Sequence, residues 1–218
     1  MVKRRISGEP FQLILGKASF YGRDYFINQN VLIPRPESEI IIDLLKKFKS
    51  PSESILEIGT GTGCLAITCE LENISNNITA TDISANALKI AYKNANHFNI
   101  KNIQFSLHNF LSDSFDKKFK VVISNPPYIS KNEMQHLSSE ILNYEPHIAL
   151  LGGNDGLLFY HRFAQIFNNL VSPNGYMILE IGGDHQKFAI QNIFLNYNLS
   201  IKFYKDLQND YRIIKVYK

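Results

Sequence analysis

The stretch SIKFYKDLQNDYRIIKVY, Ser200 to Tyr217, holds two β-rich runs, Ser200–Lys205 and Tyr211–Tyr217, separated only by Asp206-Leu207-Gln208-Asn209-Asp210. A five-residue connection suits a hairpin and is too short for the helical crossover that joins parallel neighbours, so the last strand is predicted to run antiparallel to the one before it. The chain upstream follows another rule.

From residue 51 onward, short β-rich runs alternate with longer helical patterns. Ser54–Ile58, Ile78–Asp82, Ile103–Leu107, Lys120–Ser124 and Tyr176–Ile181 read as strands, and Leu65–Leu71, Ala85–Phe98, Met134–Asn143 and Leu157–Leu170 as helices. Such alternation predicts a doubly wound, parallel α/β sheet. A mostly parallel, Rossmann-like sheet of seven strands closed by a terminal antiparallel hairpin resembles the outline of class I methyltransferases, and plain nucleotide-binding Rossmann domains lack that hairpin. Ahead of the sheet, Phe11–Leu15 and Tyr25–Leu32 are β-like and punctuated by Gly16 and Gly22, which predicts a small N-terminal β-hairpin. The following IPRPESEIIIDLLKKF turns at Pro34 and Pro36 and becomes helical from about Glu37.

Composition sets the outer bounds. The 218 residues suffice for one core, and 44% apolar content is that of a globular chain. A formal charge of +3 is far from the dense basic surface that coats nucleic acid, so stable nucleic-acid binding is not expected. MVKRRISGEPFQ has no apolar run behind its basic residues, and no segment is apolar enough to span a bilayer. Cys64 and Cys69 share one predicted helix at a spacing that puts them on different faces, and the six histidines lack a paired ligand spacing. No metal, no disulfide, no membrane partner, a monomeric state and a cytoplasmic location are the expectations.

LEIGTGTGCLAI places Gly59, Gly61 and Gly63 between a strand and a helix, at the carboxyl end of the first core strand, where open α/β sheets bind ligands. A dinucleotide fingerprint requires glycine or alanine where this chain has Cys64, so the loop weighs against NAD. It suits S-adenosylmethionine (SAM), whose amino-acid end needs close backbone approach and has no pyrophosphate to cradle. Asp82 ends the second core strand about 20 residues beyond the first glycine, where a carboxylate can accept both ribose hydroxyls. After the third strand, Asn109 offers an amide for the edge of adenine and Phe110 a ring to stack on it.

VVISNPPYIS, Val121 to Ser130, leaves its strand in an unusual way: Pro126 and Pro127 remove two backbone donors and fix the chain's direction between Asn125 and Tyr128. An amide nitrogen is a poor nucleophile because its lone pair is delocalised, so a site that methylates it must hold the NH2 by accepting both N–H bonds. Asn125 supplies a side-chain oxygen, the Pro126 carbonyl a second acceptor, and Tyr128 a ring to cover the flat group. Arg35 reads as a structural donor or a wall of the cofactor entrance, and Glu145 as a loop-orienting carboxylate.

Seven motifs in order are similar to the HemK-like protein-(glutamine-N5) methyltransferases that modify peptide chain release factors. They are GEPFQLILG (Gly8–Gly16), FYG (Phe20–Gly22), VLIPRPESE (Val31–Glu39), LEIGTGTG (Leu56–Gly63), SNPPYI (Ser124–Ile129), YEPHIAL (Tyr144–Leu150) and GGNDGL (Gly152–Leu157). The resemblance implies SAM at Gly59, Thr60, Gly61, Thr62, Gly63, Asp82, Asn109, Phe110 and Asn125, and a substrate glutamine held by Asn125, Pro126, Pro127 and Tyr128, with a release factor as protein partner. Family members usually carry Asp and then Trp or another apolar residue where this chain has Asn109 and Phe110. The PRPE motif resembles the release-factor enzymes more than the branch acting on a ribosomal protein. Residues 1–218 are expected to form one catalytic domain, with 1–50 as hairpin and lead-in helix and 51–218 as SAM-binding core, without the helical domain that family members carry ahead of GEP. Alternatives are a ribosomal-protein glutamine methyltransferase, an adenine-N6 or other exocyclic-amine enzyme, which uses the same clamp, and a non-catalytic SAM-binding module.

Overall fold

The structure, a computed structural model, describes residues 1–48 and 53–218, so the boundary expected between residues 50 and 51 lies outside the described part. Two short helices, α1 (Val2–Ile6) and α2 (Phe11–Leu15), precede a two-stranded hairpin, β1 (Lys17–Phe20) and β2 (Arg23–Phe26). The β-like reading of Phe11–Leu15 is corrected: Pro10 opens the segment and Gly16 closes it in the left-handed region, which is helix punctuation, and Leu13 and Ile14 are its buried side chains. The second hairpin strand stops at Phe26, short of Leu32. Beyond it the chain runs irregularly, with Ile27, Val31 and Ile33 in a small apolar cluster with Leu13, Ala18 and Ala87.

A 3-10 turn at Pro36–Ser38 leads into α3 (Glu39–Phe48). The core then runs β3 (Ile55–Ile58), α4 (Cys64–Leu71), β4 (Ile78–Asp82), α5 (Ala85–His97), β5 (Gln104–Leu107), β6 (Phe119–Ser124), α6 (Lys131–Met134), α7 (Ser139–Tyr144), α8 (Leu158–Leu170), β7 (Val171–Glu180), α9 (Asp184–Leu195), β8 (Ser200–Lys205) and β9 (Tyr211–Tyr217). Two further corrections arise here. The single helix expected over Met134–Asn143 is two, because Ser130 caps α6 with a reciprocal Ser130–Glu133 box and Ser138 starts α7 afresh. Helix α9, absent from the sequence reading, buries Ile190, Ile193 and Phe194.

The seven strands lie in the order β5-β4-β3-β6-β7-β9-β8. β3, β4, β5, β6 and β7 are mutually parallel, whereas β9 pairs antiparallel with both β7 and β8, as the short connection requires. Strands buried on both faces read as near-continuous apolar runs, and here alternate residues serve two cores. Ile55, Val121, Ile123 and Ile178 face the layer of α3 and α4, and Leu56, Val122, Met177 and Leu179 face that of α8 and α9. Among the described residues no helix is long and apolar enough to cross a membrane.

Candidate active site

Register places the functional loops at one level. Ile58 stands beside Thr81 on one side and Ser124 on the other, and Asp82 stands beside Leu107. Gly59, Asp82, His108 and Asn125 therefore leave the sheet together, where β3 separates β4 from β6 and the direction of winding reverses, the usual ligand position in such sheets. A cavity of about 390 Å³ opens there, with Gly59, Gly61 and Asp82 on one side and Asn109, Phe110 and Leu158 among its other walls.

The glycine loop is pinned from beneath. The N–H groups of Gly59 and Thr60 both donate to the carbonyl of Thr81, at 2.9 Å each. Gly61 donates its N–H to Asp82 Oδ2 at 2.9 Å, and Ser84 donates to Oδ1 at 2.8 Å. Burial pushes the Asp82 carboxyl up from its ordinary value, and these donors oppose the shift. Gly59 and Gly61 sit at φ 74° and 54°, and a Cβ on either would project into open space. Thr60, Thr62 and Gly63 do not line the cavity: Thr60 donates its hydroxyl to Glu57 at 2.7 Å, Thr62 is buried with its hydroxyl accepting from Cys64 N–H, and Gly63 precedes α4. Burial pushes Glu57, beneath the loop, up to about 8.

Phe110 is both wall and core. It is buried, with its ring 4.4 Å from Phe163 and parallel to Phe159. Asn109 turns its own loop, its side-chain oxygen accepting from Leu111 N–H at 3.1 Å. His108, which the sequence reading passed over, lines the same cavity with its ring 4.0 Å from Phe115, and burial holds its imidazole below the ordinary histidine range.

A second cavity, about 280 Å³, lies beside the first and is lined by Arg35, Glu37, Pro126, Tyr128, Glu180 and Arg212. Asn125 lines both, whereas Pro127 faces the larger and Pro126 and Tyr128 the smaller. Asn125 Nδ2 donates to Ser38 Oγ at 2.9 Å, and Ser38 donates to the buried Glu180 Oε2 at 2.5 Å. Tyr128 donates its hydroxyl to Glu180 Oε1 at 3.4 Å. Burial lifts Glu180 to about 7, partly offset by the Ser38 hydrogen bond and by Arg212.

The proline turn is braced on its far side. Ile129 N–H donates to Leu150 O at 3.0 Å, Gly152 N–H donates to Ile129 O at 2.8 Å, and Gln186 Nε2 donates to Tyr128 O at 2.8 Å. A Cβ on Gly156 would overlap that same Tyr128 carbonyl, so the GGNDGL and NPPY segments fit only without a side chain there. Arg35, extended between its prolines, donates to Glu145 Oε1 at 2.6 Å, and Glu145 Oε2 also accepts from Ile33 N–H.

Ser38, Glu180, Gln186 and His108 are the site residues that the sequence reading missed. One signal was available for Glu180: the tetrapeptide Leu-Glu-Ile-Gly ends both β3 and β7, as Leu56–Gly59 and Leu179–Gly182, with an acid inside an apolar strand each time.

Residues 36–153 match the family model of the methyltransferase small domain. A bifunctional methyltransferase of Rickettsia prowazekii is 39% identical over 240 aligned residues, covering 99% of this chain and 46% of the relative. A release factor glutamine methyltransferase of Bacillus subtilis is 39% identical over 202, covering 89% of this chain and 69% of the relative. A methyltransferase crystal structure from Pyrococcus furiosus superposes with a TM-score of 0.69 at 20% identity, covering 99% of this chain and 96% of that one. The chain spans about half the length of the bifunctional relatives. Sheet order, terminal hairpin and a cavity at the winding reversal define a class I methyltransferase. The chain belongs to the HemK-like protein-(glutamine-N5) methyltransferase family.

Proposed function

We propose that this chain transfers a methyl group from SAM to the side-chain amide nitrogen of a glutamine in a peptide chain release factor, in the cytoplasm. The observation that carries the reading is that two cavities of different character meet at Asn125. The larger suits SAM: Gly59 and Gly61 leave room for its amino-acid end, Asp82 offers carboxylate oxygens to ribose, and Ile83, Phe110, Leu111 and Leu158 supply apolar walls for adenine. SAM, when bound, supplies an electrophilic methyl on a sulfonium. The smaller cavity sets Arg35, Glu37, Glu180 and Arg212 beside apolar walls of Leu32, Ile129, Ile141 and Leu150, a mixed lining that suits a protein side chain with a polar end.

At the junction, Asn125 Oδ1 and the Pro126 carbonyl accept the two N–H bonds of the substrate amide and leave its remaining electron density aimed toward the larger cavity. Pro126 and Pro127 fix the direction of that second acceptor at no further entropic cost. Tyr128 covers the amide plane from the smaller cavity. No general acid is required, since the sulfonium loses its charge on transfer, and the amide proton leaves to water after attack.

Incubation of the protein and SAM with a release factor, a ribosomal-protein fraction, DNA and tRNA, followed by mass spectrometry, tests the reading. One methyl on one release-factor glutamine is expected. Label confined to ribosomal protein or to protease-resistant nucleic acid overturns the substrate, and no label with SAM bound overturns the activity.

A further inference from the structure

We propose that Ser38 and Glu180 are positioning residues that set the Asn125 amide with its oxygen, not its NH2, toward the substrate. The inference rests on the reading of Asn125 as the acceptor of the substrate amide. A primary amide is nearly symmetric in shape, and a half-turn about its last torsion exchanges oxygen for nitrogen. Flipped, Asn125 would confront the substrate NH2 with a second donor, and the clamp would repel what it must hold.

The hydroxyl of Ser38 alone does not prevent this, because it can accept from Nδ2 or donate to Oδ1. Glu180 removes the ambiguity. An ionised carboxylate only accepts, and with Ser38 Oγ 2.5 Å from its Oε2 it claims the single hydroxyl proton of Ser38. Ser38 then has only lone pairs for Asn125, which must offer Nδ2, as the 2.9 Å contact has it. Both residues are buried, Ser38 at 4% exposure and Glu180 at 1%, so water does not scramble the order of donors.

Protonation of Glu180 would undo the order, since a carboxylic acid can donate to Ser38 and free the hydroxyl proton for Oδ1. The groups that act on Glu180 are Arg212 on β9, Glu37 of the PRPE turn and Tyr128 after β6, and Tyr160 on α8 donates to the Glu180 backbone carbonyl at 2.8 Å. Arg35 acts on Tyr128 and shares the cavity. With burial lifting Glu180 to about 7, ionisation and amide orientation are linked near neutral pH.

Four variants test this: Ser38→Ala, Ser38→Thr, Glu180→Gln and Asn125→Ala, each assayed for single-turnover methylation of a release factor and for SAM affinity. Ser38→Ala is expected to lower kcat on the order of 10²-fold with SAM affinity kept, and Ser38→Thr to restore it. In the parent, kcat is expected to rise through about pH 7 and the Asn125 side-chain NH2 resonance to shift over the same range, and both changes are expected to vanish in Glu180→Gln. If Ser38→Ala does not fold, the nearly isosteric Glu180→Gln decides by its pH profile. Parental kcat and pH profile in Glu180→Gln, with Asn125→Ala inactive, overturn the proposal and leave the clamp standing. Equal losses of SAM affinity and kcat in Ser38→Ala reduce the role to structure and overturn it too. Parental activity in Asn125→Ala overturns the clamp itself.

Discussion

The Arg35 guanidinium sits 2.6 Å from the Glu145 carboxylate across 110 residues of sequence, tying the PRPE turn to the YEP turn. The Glu145 side chain is 2% exposed, so without Arg35 a buried carboxylate keeps, among the described residues, only the Ile33 N–H. Arg35→Ala is expected to destabilise the fold by about 2–3 kcal/mol, at the low end for breaking a buried pair because Arg35 itself keeps contact with water. Urea midpoints checked for an unchanged m-value measure it, and Arg35→Ala with Glu145→Ala in a double-mutant cycle isolates the pair. A coupling near zero would mean that neighbouring contacts alone hold the two turns.

Asp82 anchors Gly61 N–H and, in the proposed reading, also accepts the ribose hydroxyls, so either substitution should cost SAM affinity. Asp82→Ala removes the proposed ribose acceptor and the anchor of Gly61 N–H, and is expected to weaken SAM binding by roughly 1.5–3 kcal/mol, about tenfold or more. Asp82→Asn keeps one acceptor oxygen but turns an NH2 toward Gly61 or Ser84, so it should lose affinity as well. Calorimetry with SAM gives both values. Unchanged affinity in Asp82→Ala would move the ribose elsewhere.

Replacement of Asn125 should divide binding from transfer. Asn125→Ala leaves the glycine loop and Asp82 untouched, so SAM is expected to bind within a few-fold while kcat/KM falls by about 10²-fold or more. Asn125→Asp keeps the size and adds a charge beside the sulfonium, which favours the ground state over the transition state and lowers kcat without a weaker cofactor. Single-turnover rates on one glutamine substrate compare them. A near-parental Asn125→Ala rate would reduce NPPY to a rigid strand exit.

Glu57 is expected to make stability depend on pH. Its folded value, pushed up to about 8 by burial, lies above its ordinary value of 4.5, so the folded chain holds a proton that the unfolded chain releases between these limits. The stabilisation from that proton is complete below the unfolded value and is lost as pH rises through about 8. Glu57→Gln retains an acceptor for Thr60 and Ala66 and should flatten this decline. Unfolding by urea from pH 5 to 9 tests it, and parallel curves for parent and variant would place the titration elsewhere.

Strand position and direction were legible wherever a local rule dominates, in the short link before β9 and the alternation of β3 through β7, as was the glycine turn after β3. The errors fall where tertiary contacts or punctuation override periodicity. Phe11–Leu15 is too short for its apolar run to distinguish helix from strand, and Pro10 and Gly16 settle it as helix. Asp184–Leu195 was lost because its charged and amide residues dilute a modest apolar face. Asn125 could be found by its motif and Glu180 was hinted at by the repeated Leu-Glu-Ile-Gly, but Ser38 could not be found, since its meaning is a chain of contacts spanning 87 and 142 residues.

Because β9 lies between β7 and β8, the order of synthesis is not the order of assembly. Strand β8 emerges first yet, among the described residues, has no hydrogen-bonded neighbour in the sheet except β9, so its pairing must wait for residues translated after it. Until then the outer edge of β7 stays open, the kind of unpaired border that invites wrong partners. The smaller cavity shares that delay, for its wall includes Arg212 of β9, which donates to the carbonyl of Gly182 at 2.8 Å. The larger cavity draws on no residue beyond Phe159 and depends on β9 only through the sheet beneath it. In chain order, the residues that line the larger cavity are thus all present by Phe159, whereas the wall of the smaller one is completed only with Arg212.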